Sequence, residues 1–144
     1  MNLKHLILAS AMGMAATPAF AQVTFLPQAK VDAALAGKAS LYLHVDKDVM
    51  VEGCYRDKPG EAEIHEKLLD TIYITAGSAT LIAGGKLEGG KPTTPGQIRG
   101  GTIVGGTSYN LVKGDVIVIP AGIPHQWAEV PASVSYYVVK PVPK

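Results

Sequence analysis

Glu63, Ile64 and His65 put a carboxylate and an imidazole two residues apart, so on a strand both project from one face. Two such donors side by side are able to bind a metal ion. Asp70 follows beyond the tight Lys67-Leu68-Leu69 connection and opens the next strand with a third oxygen donor. Far along the chain, His125 follows the rigid turn Pro120-Ala121-Gly122-Ile123-Pro124, and Trp127 and Glu129 share its side at strand spacing. That grouping reads as a pocket wall with an aromatic ring and a carboxylate beside the imidazole. The spacing alone fits a set of unconnected surface and core polar residues equally well, and both readings stand at this point.

The segment from Gly114 to His125, GDVIVIPAGIPH, resembles the second motif of the cupin superfamily, G-x5-P-x-G-x2-H, at every defined position through the histidine. The asparagine that ends that motif is Glu129 here. The stretch from Glu63 to Gly77 is similar to the first cupin motif, H-x-H-x(3,4)-E-x6-G. Glu63 stands in the first histidine place, His65 in the second, Asp70 in the glutamate place and Gly77 at the closing glycine. The opening glycine of that motif does not align, because Gly60 lies only three positions before Glu63. The resemblance covers roughly residues 40 to 140.

It implies an all-β fold, a jelly-roll barrel or double-stranded β-helix, with a divalent metal ion inside. Carried over position by position, the ligands are Glu63, His65, Asp70 and His125, a set that suits Fe, Mn, Ni or Zn. Glu63 is a ligand, a general base beside the metal, or the mark of a cupin that has lost its metal. Two carboxylates leave the shell of a divalent ion formally neutral, so the ion is a weaker Lewis acid than in a three-histidine, one-carboxylate site. Glu129 is a base, a group that holds a substrate hydroxyl, or a carboxylate on the rim.

The elements that position these groups are mostly short strands. Pro27 to Ala36 has good helix formers with proline at the start and Gly37 as a stop, which predicts a short helix. Strands are expected at Ser40 to Val45, Val49 to Arg56, Ala62 to Lys67, Asp70 to Thr75, Ala79 to Ala83, Ser108 to Val112, Val116 to Ile119, Gln126 to Val130 and Val134 to Lys140. Between them, residues 84 to 107 hold nine of the 16 glycines with Pro92 and Pro95, and read as a long mobile excursion, either a solvated loop or a wall over the barrel mouth. Trp127 is expected to pack in the pocket wall, Arg56 to lie at the surface, Tyr73 on the outer face, His44 at the surface and Cys54 as a buried strand thiol.

The chain has 144 residues with 13 basic and 12 acidic side chains, which excludes a two-domain enzyme and gives no electrostatic reason to expect nucleic-acid binding. Its start reads as a secretory signal: Lys4 and His5, the apolar run Leu6 to Ala16, then Pro18 and the small residues Ala19 and Ala21, with cleavage expected before Gln22. The run falls far short of the ~20 residues of a permanent span, so no stable membrane anchor is expected after cleavage. The division is therefore a signal peptide at 1–21, an N-terminal segment at 22–39 and a barrel at 40–144 in a secreted or periplasmic protein. The mature chain keeps 12 basic and 12 acidic residues and three histidines, and with Cys54 alone it forms no internal disulfide. The expected activity is metal-dependent dioxygenase, isomerase or lyase chemistry on a small-molecule substrate, with Glu63 or Glu129 moving the proton. The alternative is a non-catalytic module that binds a sugar, an aromatic acid or a metal. A homodimer is the expected assembly, with Val23 to Leu35 crossing to the neighbour.

Overall fold

The computed structural model describes residues 23–143, so the expected signal segment lies outside the described residues. One helix, α1 (Gln28–Ala36), precedes strands β1 (Leu41–Val45), β2 (Val49–Arg56), β3 (Glu63–His65), β4 (Asp70–Ala83), β5 (Lys86–Glu88), β6 (Lys91–Thr94), β7 (Gln97–Arg99), β8 (Thr102–Val104), β9 (Thr107–Val112), β10 (Val116–Ile119), β11 (His125–Glu129) and β12 (Val134–Pro141). Pro27 takes up the extended conformation ahead of α1, and the Gly37 N–H closes the helix onto the Ala34 carbonyl. The helix lies against Gly53 of β2, with Ala34 and Leu35 nearest to that position.

Ten strands form one curled antiparallel sheet in the order β1-β2-β12-β4-β11-β3-β7-β6, with β9 and β10 also paired to β4, and β5 and β8 form a separate pair. Strand β12 is inserted between β2 and β4, with Tyr136 opposite Cys54 on one side and Ile74 on the other. Alternation along β4 and β12 buries Ile72, Ile74, Leu81, Val134, Tyr136 and Val138, and Ile119 and Trp127 close the core from β10 and β11. The period-2 pattern read from the sequence is thus the pattern that separates barrel interior from outer face.

Two expectations need correction. The strands expected at Asp70 to Thr75 and Ala79 to Ala83 are one 14-residue strand, β4, because Gly77 bends the chain without ending it. Gly77 has φ +74, and a Cβ there would stand 1.9 Å from the Ser133 carbonyl oxygen, so only glycine fits. The bend lets the first half of β4 pair with β10 and β12 and the second half with β9 and β11. The glycine-rich excursion, read as mobile, is instead ordered into β5, β6, β7 and β8. Its glycines turn the chain sharply between these short strands, many with positive φ.

Candidate metal centre and its pocket

Strand pairing places the two motifs against each other. His125, the first residue of β11, faces Glu63 of β3, while Ile119 of β10 faces Asp70 at the start of β4. The rigid Pro120–Pro124 turn carries the chain between those two points, and the Gly122 N–H donates to the His65 carbonyl at 2.8 Å. Four side chains separated by up to 62 positions in the sequence thereby converge in the barrel interior: Glu63, His65, Asp70 and His125, all buried. Sequence reasoning named all four.

Glu63, His65 and His125 form one such group, with one donor atom from each within 4.8 Å of the others, and are able to hold a metal ion. Both imidazoles are oriented for it. His65 Nδ1 meets the Gln97 side-chain oxygen at 2.5 Å and His125 Nδ1 meets the Ile123 carbonyl at 3.1 Å. Nδ1 donates in each case, which turns the Nε2 edge inward. There His125 Nε2 lies 3.6 Å from Glu63 Oε1 and 3.8 Å from Asp70 Oδ2, and His65 Nε2 lies 3.4 Å from Asp70 Oδ2. Asp70 Oδ1 is buried without a hydrogen-bond partner. A buried cluster of nitrogen and oxygen acceptors with an orphaned carboxylate oxygen suits a divalent cation. The residues present therefore fit a metal.

Cationic side chains also reach this cluster. Arg99 Nη1 is 2.7 Å from Glu63 Oε2, off the N–H direction, so charge pairs them without a directed hydrogen bond. Lys140 Nζ donates to Asp70 Oδ2 at 3.1 Å and approaches His65 Nε2 at 3.2 Å. Burial pushes the Glu63 carboxyl up, but the contact with His125 and the charges of Arg99, His125 and His65 outweigh it and bring it down to about 2. Burial acts on Asp70 in the same way and is overcome by His65 and Lys140, leaving it lowered. Glu52 goes in the opposite direction: burial raises it, and the nearby negative charges of Asp70 and Glu63 add to the rise against the pull of Lys140.

The cluster lines a cavity of about 190 Å³. Cys54, Arg56, Ile72, Trp127, Tyr136 and Val138 line it as well. Trp127 stacks on Tyr136 with ring centroids 4.6 Å apart, as expected of a residue that packs the wall. Burial pushes the Cys54 thiol up to about 11, in keeping with its expected role as an inert buried group. His44 pairs with Asp46 at 2.9 Å, away from the pocket, and Tyr73 stacks on Tyr137.

Two of the sequence-based expectations need correction here. Arg56 is not a free surface residue, because the Trp127–Tyr136 stack draws it inward. Its Nε donates to the Tyr136 hydroxyl at 3.1 Å and its guanidinium lies 5.9 Å from the Trp127 ring centre. Glu129 does not join His125 in the pocket. The register of β11 against β4 shifts between Trp127 and Glu129, which breaks the alternation and turns Glu129 outward, where Thr80 Oγ1 donates to it at 3.3 Å. Sequence reasoning missed Lys140, Glu52 and Arg99 as pocket residues, and Gln97 as the partner of His65. Alternation signals the first two: Lys140 continues the inward series Val134, Tyr136, Val138, and Glu52 precedes Cys54 and Arg56 at the same parity. Gln97 and Arg99 carried no such signal, because they lie in the excursion that showed no period.

No family model matches the sequence, and no curated protein matches it significantly. Solved structures do. The chain is similar to the protein BH2720 from Bacillus halodurans at 15% identity and a TM-score of 0.62, over 83% of this chain and 82% of that one. It is similar to the cupin domain of Cnp3 from Schizosaccharomyces pombe at 10% identity and a TM-score of 0.53, over 72% of this chain and 60% of that one. The DMSP lyase DddQ from Ruegeria pomeroyi DSS-3 matches at 17% identity and a TM-score of 0.50, over 72% of this chain and 46% of that one. At such identities the likeness concerns the fold, and that fold is the cupin jelly-roll barrel.

Proposed function

We propose that this cupin barrel is a metal-dependent enzyme that moves a proton on a small polar organic substrate, in the class of isomerases and lyases. The supporting observation is that Glu63, His65 and His125 converge as a buried donor group on one cavity while Glu52 lines the same cavity outside that group. Groups so divided suit separate roles, one set fixed as anions for a cation and one able to take up and release a proton. Glu63, His65 and His125 would hold the ion. When bound, a divalent metal polarises a carbonyl or hydroxyl of the substrate and acidifies the adjacent C–H or O–H.

The protein's own residues supply the rest. Glu52 accepts the proton at its carboxylate and returns it, a role that Glu129 cannot fill from the outer face. Arg56, held by Tyr136 and the Trp127 face, offers its remaining N–H groups to an anionic substrate group. Ile72, Trp127 and Val138 line the wall and keep water from the reacting carbon. The cavity volume favours a compact substrate such as a small hydroxy or keto acid.

Elemental analysis of protein purified without chelator is expected to give near one metal ion per chain, lost in a His65→Ala, His125→Ala double variant. In deuterated water, a panel of small hydroxy and keto acids is expected to include one that exchanges a C–H, with exchange lost in Glu52→Gln while the metal stays. Equal metal content in parent and double variant sinks the reading. A non-catalytic binding module is favoured instead if metal-free protein binds an acid from the panel and exchanges none of them. The chain's start also supports export to the periplasm or outside the cell, with residues 1–21 removed. A homodimer is in keeping with Val112, Val116 and Val118, each more than half exposed.

A further inference from the structure

We propose that Lys140 is a tethered cation that shares the metal's ligand and must leave His65 when an ion enters, so that it sets how tightly the pocket holds metal. The inference rests on the metal reading above and concerns what opposes that binding.

His65 has two ring nitrogens, and Nδ1 is taken by the Gln97 side-chain oxygen at 2.5 Å. With the proton on Nδ1, Nε2 offers a single lone pair. Lys140 Nζ approaches that lone pair at 3.2 Å, and an imidazole nitrogen that accepts an ammonium proton cannot at the same time bind a metal ion. The ammonium is well placed to compete. Its side chain is only 12% exposed, and Asp70 Oδ2 balances its charge at 3.1 Å. It arrives on β12, whose pairing with β2 on one side and β4 on the other fixes the approach of the stem.

Displacement does not require the lysine to leave the pocket. It can keep Asp70, and Glu52 offers a second carboxylate on the adjacent strand, near enough for the Lys140 charge to act on it. Asp70 then serves as the lysine's anchor and not as a fourth ligand.

The test titrates Zn²⁺ alone by calorimetry into chelator-treated parent, Lys140→Met and Arg56→Met, with circular dichroism to confirm the fold and Lys140→Gln as a second variant should Lys140→Met misfold. Lys140→Met is expected to bind about tenfold tighter than parent at the same stoichiometry, because removal of a touching cation acts in low dielectric. Arg56→Met, which removes a charge that does not touch the cluster, is expected to change affinity by no more than about twofold. Zn²⁺ binding by the Lys140 variant and not by the parent also supports the proposal. Equal affinity in parent and Lys140 variants overturns it while the metal reading stands. An equal gain in Arg56→Met overturns it as well, since a general field effect then suffices. No binding in any of these proteins removes the metal reading and the proposal together.

Discussion

The β2–β12–β4 ladder and the glycine-rich excursion border the same pocket, yet they are held by different means. The ladder is continuous, with long strands, buried apolar side chains and hydrogen bonds on both edges of β12. The excursion consists of strands three or four residues long, largely exposed, joined at glycines. Stability resides in the first, where apolar area is removed from water. The second touches chemistry more directly: β7 pairs with β3 so that Gln97 faces His65 and Arg99 faces Glu63. A region with little core of its own can still set the tautomer of one candidate ligand and the charge balance of another, provided one rigid strand fixes its register.

That contrast can be broken experimentally. Ile74 is fully buried in the ladder, and Ile74→Ala is expected to lower stability by about 2–5 kcal/mol in urea unfolding, through lost burial and the cavity left behind. Acid comes next. A carboxyl held lower in the folded state than in the unfolded chain stabilises the fold fully above its ordinary value, and that contribution is lost as pH falls through the folded value. Glu63, brought from 4.5 to about 2, should therefore make metal-free protein lose stability progressively from about pH 4.5 toward 2, with Asp70 acting in the same direction. Thermal melts across that window should be flatter in Glu63→Gln.

The excursion should respond otherwise. Gln97→Ala is expected to weaken Zn²⁺ binding by about 10- to 100-fold in calorimetry, because His65 loses the partner that orients it. Its effect on urea unfolding should stay below about 1 kcal/mol. A large loss of stability there would mean that the excursion is part of the core. The smallest effect is expected for Glu129→Gln on the outer face, within about 0.5 kcal/mol in stability and with unchanged metal content.

The same contrast accounts for what could be read from the sequence. The ladder and the Pro120–Pro124 turn were legible because alternation and turn residues are local signals, and the two histidines with Glu63 and Asp70 stood at motif positions on them. Glu129 was misread because strand parity presumes an unbroken register, and β11 shifts after Trp127. Gln97 and Arg99 were illegible for another reason: their place depends on pairing with β3 across more than 30 positions, which glycine turns permit without any periodic trace. Lys140 was legible in principle, since it continues an inward-facing series, but its charge at the end of an apolar strand reads naturally as a solvated terminus.

The insertion of β12 between β2 and β4 has a consequence for the order in which the molecule is made. The last strand of the described chain occupies a central slot, so both motifs and every candidate ligand are synthesised before the barrel can close. Until then β2 and the first half of β4 lack a shared neighbour, and folding must wait for contacts of high sequence separation, which are slow to form. The strand that fills this gap is eight residues long, Val134–Pro141. Because Lys140 lies on that strand, the acceptor cluster meets its cation only once β12 has entered the gap between β2 and β4.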